Sequence, residues 1–252
     1  VNDLLMVHDA DFVRRFVEGE LDDREINRIG LKPWTDSFIE RTLRIMGGSI
    51  SALNHVSEFG GISGNMAGGT HHSHVDFGSG YCVFNDIAVC AAIATGTLGF
   101  SRVAVLDLDV HQGDGTAAML TGNSDTLTVS VHCRDNFPFR KANSDHDLPL
   151  NSGSGDARYL EKVGEALGLI DGFGPDLVLF QAGVDALETD GLGKLRVTRK
   201  GMRVRNRMVF SYVVERGLPC VVLMGGGYSD PISHTVDAFF DLFIDGAIAN
   251  HH

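Results

Sequence analysis

Five short segments carry most of the side chains in this sequence that could do chemistry. In the first, Asp107-Leu108-Asp109-Val110-His111, two carboxylates and an imidazole are spaced two residues apart, and Gln112-Gly113-Asp114 follows directly. Alternation puts Asp107, Asp109 and His111 on one side of an extended chain. Two acids so placed at the end of an apolar run would repel each other, and each would be costly to desolvate without a partner. A cation resolves both problems, and one imidazole nitrogen with carboxylate oxygens suits zinc. An open catalytic zinc needs a third protein ligand. Asp185, closing Gly183-Val184-Asp185, is the best candidate. Two acids would then neutralise the dication and leave the fourth position to water. Alone, the first motif has a bland alternative, a polar turn at a strand end; together with Asp185 and a histidine pair it points to a site.

That pair is His71-His72, which follows Gly68-Gly69 and precedes Gly78-Ser79-Gly80. A hydrolytic metal site needs a base to take a proton from water and an acid for the leaving group. Two imidazoles, each tuned by its own carboxylate, could divide those tasks, with Asp107 and Asp114 as the spare acids. The remaining segments are Ser130-Val131-His132 and Gly225-Gly226-Gly227-Tyr228. Many of the 31 glycines, including Gly60-Gly61, fall in these loops. They suit βα turns in general and also a narrow tunnel with backbone close to substrate.

The elements that must position these residues read as alternating strand and helix. Val103–Val110, Thr126–His132, Leu177–Ala182 and Cys220–Met224 are apolar runs rich in β-branched residues, the pattern of strands buried on both faces of a parallel sheet. Thr35 and Asp36 cap a predicted helix whose stripe is Ile39, Leu43, Met46, Ile50 and Leu53. Further helices are predicted from Asn85 to about Leu98, from Asp156 to about Leu169, and from Thr198 to Arg216, the last ended by Gly217 and Pro219. Helices between buried strands imply right-handed crossovers and a three-layer α/β/α sandwich with a mainly parallel central sheet. Ligands of such sheets bind outside the carboxyl ends of the strands, where all five segments fall. At 252 residues one domain is expected, over residues 1–250.

Composition narrows the class of function. Apolar residues at 43% and charged residues at 21% are ordinary for a globular chain, and no run approaches the length of a membrane span. A net charge of −12 argues against nucleic acid as a direct partner. One basic cluster, Lys194, Arg196, Arg199, Lys200, Arg203, Arg205 and Arg207, reads as a solvated helix face, with a docking patch for an acidic partner as the sharper reading. Cys82, Cys90, Cys133 and Cys220 have no C-x-x-C spacing and suit a reducing, cytoplasmic compartment. The chain starts at Val1, so a native N-terminus and its targeting signals are expected to be missing; His251 and His252 read as the stump of an expression tag.

The blocks GGTHHS, GSGYCVFNDIAV, VLDLDVHQGDGT, QAGVDALETDGLG and GGGYSD, in order from about Val7 to Asp230, resemble the signatures of the histone deacetylase family within the arginase/deacetylase superfamily. RIGLKPW and DGLG look most like the class IV deacetylases and their bacterial relatives. The resemblance implies an arginase/deacetylase-like fold and a zinc-dependent hydrolase of acyl-lysine or a small acylated amine. It implies Asp109, His111 and Asp185 as zinc ligands, and His72 as general base and acid, paired with Asp114. His71 would assist, paired with Asp107, and Tyr228 would donate to the amide oxygen. Gly80, Tyr81, Phe137 and Gly226 would bind substrate in a narrow tunnel. A structural potassium ion would sit against Asp107, Asp109, His111, Ser130 and Val131.

Two departures stand out. Members commonly carry an aspartate, gripping substrate backbone, where this chain reads Ile29-Gly30-Leu31-Lys32-Pro33, which weakens a claim on histone peptides. The family's N-terminal strand is also expected to be absent before Val1. Other functions compete. A binuclear manganese ureohydrolase of the same fold needs a second acid near Asp185 and one just after His111; Asp185-Ala186-Leu187 and His111-Gln112-Gly113 lack them. An acetylpolyamine deacetylase shares the same core. A catalytically silent acyl-lysine-binding scaffold is disfavoured by intact His71, His72 and Tyr228.

Overall fold

A computed structural model describes residues 1–250; His251 and His252, read above as a tag remnant, lie outside the described residues. Strands β1 (Ile62–Asn65), β2 (Val103–Asp107), β3 (Thr126–Ser130), β4 (His146–Asp147), β5 (Leu177–Gln181) and β6 (Cys220–Leu223) form one open sheet in the order β1-β6-β5-β2-β3-β4. Every pairing is parallel. After a short 3-10 turn at Asn2–Met6 come helices α1 (Ala10–Val17), α2 (Asp23–Ile29), α3 (Asp36–Phe59), α4 (Asp86–Gly96), α5 (Asp114–Leu120), α6 (Asp156–Phe173), α7 (Arg199–Glu215) and α8 (Ser233–Ala249).

Strand alternation divides the interior into two cores. Ala104 and Leu106 of β2, Val178 and Phe180 of β5, and Cys220 and Val222 of β6 join one cluster with residues of α6, α7 and α8. The intervening Val103, Val105, Leu177, Leu179, Val221 and Leu223 join the other, with α1, α3 and α4. This is the helix–sheet–helix sandwich that the apolar runs imply.

The four apolar runs and the four predicted helices are all present. The first run leaves the sheet early: pairing stops at Asp107, and Leu108–Gly113 form a loop. There the Asp109 N–H donates to the Asp107 carboxylate and the His111 N–H to the Asp109 carboxylate, so side-chain acceptors replace the ladder. Thr35 occupies the N-cap of α3, but its hydroxyl pairs with Ser37 Oγ and not with the helix backbone. The short β1 and β4 carry too little apolar pattern to be read in advance.

The part of the basic cluster that lies on α7 is mostly committed to a neighbouring helix. Arg199 pairs with Asp237 and Asp241, and Arg203 with Asp245, all on α8. Arg205, fully buried, points instead into the molecule. Lys194, Arg196 and Lys200 remain exposed and pair with no carboxylate within 4.0 Å among the described residues, as a solvated face would.

Candidate active site

The five segments converge at the carboxyl end of the sheet. Gly68-Gly69-Thr70-His71-His72 follows β1 and is anchored by Asp86, at the start of α4. The Asp86 carboxylate accepts from the N–H of Gly69 (3.0 Å), the N–H of Thr70 (2.8 Å), the Thr70 hydroxyl and the Ser49 hydroxyl (2.6 Å). Gly69 has a φ of +75°, and a Cβ there would collide with Gln181 and the backbone of Gly225. Glycine is what lets this loop reach the β5 and β6 ends.

Asp109, His111 and Asp185 present ligand atoms within 4.8 Å of one another, all buried. His111 Nδ1 lies 3.0 Å from Asp109 Oδ1 and 3.0 Å from Asp185 Oδ2. Backbone groups fix the carboxylates: Val110 N–H donates to Asp185 Oδ1 (2.8 Å) and Gly226 N–H to Asp109 Oδ2 (2.9 Å). A Cβ on Gly226 would strike the Asp185 carboxylate. Burial and the like charge of Asp109 push Asp185 up. Burial alone would lower His111, but its bonds to Asp109 and Asp185 outweigh this and raise it to about 11. The cluster thus draws positive charge to its centre, and its two carboxylates and one imidazole match the donor set of a catalytic zinc.

The two histidines differ in kind. His71 Nδ1 is 2.7 Å from Asp107 Oδ2, and its Nε2 faces Asp109 Oδ1 at 3.8 Å. Burial would lower His71, but the charges of Asp107 and Asp109 outweigh it and raise it to about 9. His72 bonds Asp114 Oδ1 through Nδ1 at 2.7 Å. Burial, then the neighbouring His71, lowers it to about 4. One ring is held as a cation between two acids; the other is held neutral, with Nε2 left for a further partner.

Tyr228 stands across from them, its ring centroid 6.4 Å from that of His111. Burial, reinforced by Asp185 and Asp109, holds its phenol well above the usual range, so it stays a hydroxyl donor. His72, His111 and Tyr228 floor a cavity of about 490 Å³ walled by Gly80, Tyr81, Phe137 and Leu192. Tyr81 is in the left-handed region (φ 66°), with its N–H bonded to Ile29 O at 2.8 Å. That backbone strain sets its ring 5.9 Å from the ring of Tyr228. Gly226 lines an adjoining cavity of about 320 Å³, which shares Gly80, Tyr81 and the site residues. Asp107 and Ser130 are register partners at the ends of β2 and β3, and Val131 N–H bonds Asp107 O at 2.9 Å.

Three contributors escaped the sequence reading. Asn136 places Nδ2 3.4 Å from His111 Nε2 and 2.8 Å from Leu192 O, tying the metal-side ring to the cavity wall. Asp190 accepts from the N–H groups of Leu192, Gly193 and Tyr228, fixing the tyrosine's backbone at 2.6 Å. Arg205 donates Nη1 to Gly183 O (2.7 Å) and Nη2 to Ala182 O (3.3 Å), beneath the loop that carries Asp185. The single acid in TDGLG is itself a signal for Asp190. Arg205 had none, because it sat within a run of surface-like basic residues.

Comparison with known proteins agrees with the geometry. The family model described as histone deacetylase domain matches residues 1–241. An uncharacterised protein from Picosynechococcus is 40% identical over 234 residues, covering 92% of this chain and 77% of that protein. Histone deacetylase 2 of Arabidopsis thaliana is 35% identical over 187 residues, 73% of this chain and 48% of the relative. A histone deacetylase-like amidohydrolase of Pseudomonas aeruginosa is 30% identical, with 90% and 64% covered. The chain thus spans about half to three quarters of these relatives. The crystal structure of acetylpolyamine aminohydrolase from Burkholderia pseudomallei shares the fold, with a TM-score of 0.79 at 21% identity over 97% of this chain and 82% of that one.

Proposed function

The chain belongs to the histone deacetylase family, and from that premise we propose that it is a zinc-dependent amidohydrolase removing acyl groups, acetyl or longer, from lysine side chains of proteins or from related amines. One observation carries the reading: Asp109, His111 and Asp185 converge within 4.8 Å, and His111 lines a cavity together with a neutral His72 and a protonated Tyr228. Zinc held by those three ligands would supply Lewis-acid activation of a water and of the scissile carbonyl.

The remaining steps fall to side chains. His72 Nε2 takes the proton of the attacking water and then delivers it to the leaving amine, while Asp114 holds the ring through Nδ1. His71, already held as a cation by the charges of Asp107 and Asp109, has no free lone pair to take the water's proton. It serves as a fixed positive charge, with Asp107 as its partner. The Tyr228 hydroxyl donates to the oxygen on which negative charge develops. Gly80, Tyr81 and Phe137 hold the acyl-lysine stem and exclude water, and Gly226 closes the inner end. A structural potassium ion, with oxygen donors from Asp107, Asp109, His111, Ser130 and Val131, belongs to the same proposal. So does a cytoplasmic location, supported by four buried, unbridged cysteines.

The test is turnover of a fluorogenic acetyl-lysine amide by protein stripped with chelator and reloaded with zinc. Zinc restores the activity, and Tyr228→Phe lowers kcat by about 100-fold or more. Zinc-loaded, folded protein that cleaves no acyl-lysine substrate is a scaffold, and the proposal fails.

A further inference from the structure

The mouth of the active-site cavity opposes the charge of the molecule around it. The chain carries −12 overall, yet the charged residues lining the mouth are Arg28, Lys194 and Asp135. Arg28 stands in the last turn of α2 and lies over the Phe77 ring at 4.7 Å. The Lys194 ammonium donates to the backbone oxygen of Asp135 at 2.6 Å. Among the described residues, neither cation has a carboxylate within 4.0 Å, unlike most arginines on α1 and α7. Asp135, the only acid in the lining, turns its carboxylate to the Ser152 hydroxyl at 2.7 Å. Beneath the same lip, Lys141 donates to the carbonyls of Asn136 and Pro138, which brings a third cation close. The lip residues Ile29 and Gly30 add no charge.

A substrate whose acyl-lysine stem fills this cavity sets its neighbouring residues against Arg28 and Lys194. Resting on the deacylase reading above, we propose that the enzyme selects acyl-lysine flanked by acidic residues, and disfavours acylated polyamines and basic tails. The two cations complement aspartate or glutamate beside the modified lysine, whereas a second ammonium would meet like charge.

Matched acetyl-lysine peptides with acidic, neutral or basic flanks, and an acetylated diamine, test this at roughly 0.15 M salt, where the Debye length of about 8 Å leaves local charges in control. The acidic peptide is expected to exceed the basic one by about fivefold to tenfold in kcat/KM, the size that two exposed charge pairs supply. The double variant Arg28→Glu with Lys194→Glu should reverse the order. Equal rates for all flanks, or preference for basic flanks by the unaltered enzyme, overturns the proposal. Absence of turnover on every substrate defeats the hydrolase reading instead. Fluorescence anisotropy with the same peptides, labelled, then decides the charge preference by the same ranking.

Discussion

At the scale of single residues, the groups that would do the chemistry are held in place by others that reach only backbone and ring atoms. Asp109, His111, Asp185, His71, His72 and Tyr228 announce themselves because carboxylates and imidazoles at the ends of apolar runs need a reason to be there. Asn136 and Arg205 act through backbone carbonyls and a ring nitrogen, contacts that only the folded chain creates. Arg205 is the sharper case. It is fully buried, with no carboxylate within 4.0 Å among the described residues, and holds Ala182 and Gly183, three and two positions before Asp185. Its neighbour Tyr159 donates to Leu108 O at 3.2 Å, next to Asp109. Arg205→Met should therefore weaken zinc binding about 10- to 100-fold, as measured by competition with a chromogenic chelator well below the unfolding temperature. Leu53→Ala, in the opposite core, destabilises by about 2–5 kcal/mol and should leave zinc affinity unchanged. Equal affinities in both variants would reduce Arg205 to packing.

Elements were legible mostly in proportion to their apolar length, with α8 the exception: it is apolar and as long as α7, yet no N-cap side chain marks its start. The buried strands and the longer helices they alternate with could be read, whereas the N-terminal helices α1 and α2, the two-residue β4 and α8 could not. The N-terminal region is stitched to the rest by polar links between distant segments. His8 accepts from the Asn85 N–H (2.9 Å) at the cap of α4, and its Nδ1 lies 3.0 Å from His74 O and 3.2 Å from Val75 O. Phe12 and Phe84 pack against the ring, with centroids at 6.2 and 5.1 Å. Burial lowers His8 to about 4, against a partial offset from the two carbonyls. The unfolded chain takes up this proton as pH falls through about 6.5, and the folded chain resists until about 4, so stability is lost across that window. The loss attributable to His8 is roughly 2–3 kcal/mol. Urea unfolding at pH 7.5 and 4.5 should show a smaller drop for His8→Gln than for the unaltered protein, and parallel drops would contradict the assignment.

For the whole molecule, the two cores lie on opposite faces of the same strands, so neither can melt and leave the other a complete wall. Calorimetry should give one transition, with van't Hoff and calorimetric enthalpies in agreement, and zinc should raise its midpoint because the ligand set exists only in the folded state. Two separable peaks would mean that the chain is not one unit. The contrast between a cationic mouth and an anionic body has a further consequence. On the proposed selectivity, an acidic peptide would be repelled from afar and welcomed only on arrival. In dilute buffer, where the Debye length reaches about 30 Å, the body's repulsion should mask the mouth; near 1 M, at about 3 Å, both fall silent. Discrimination by this enzyme should therefore peak at intermediate ionic strength, a tuning curve written by distance and not by any one contact.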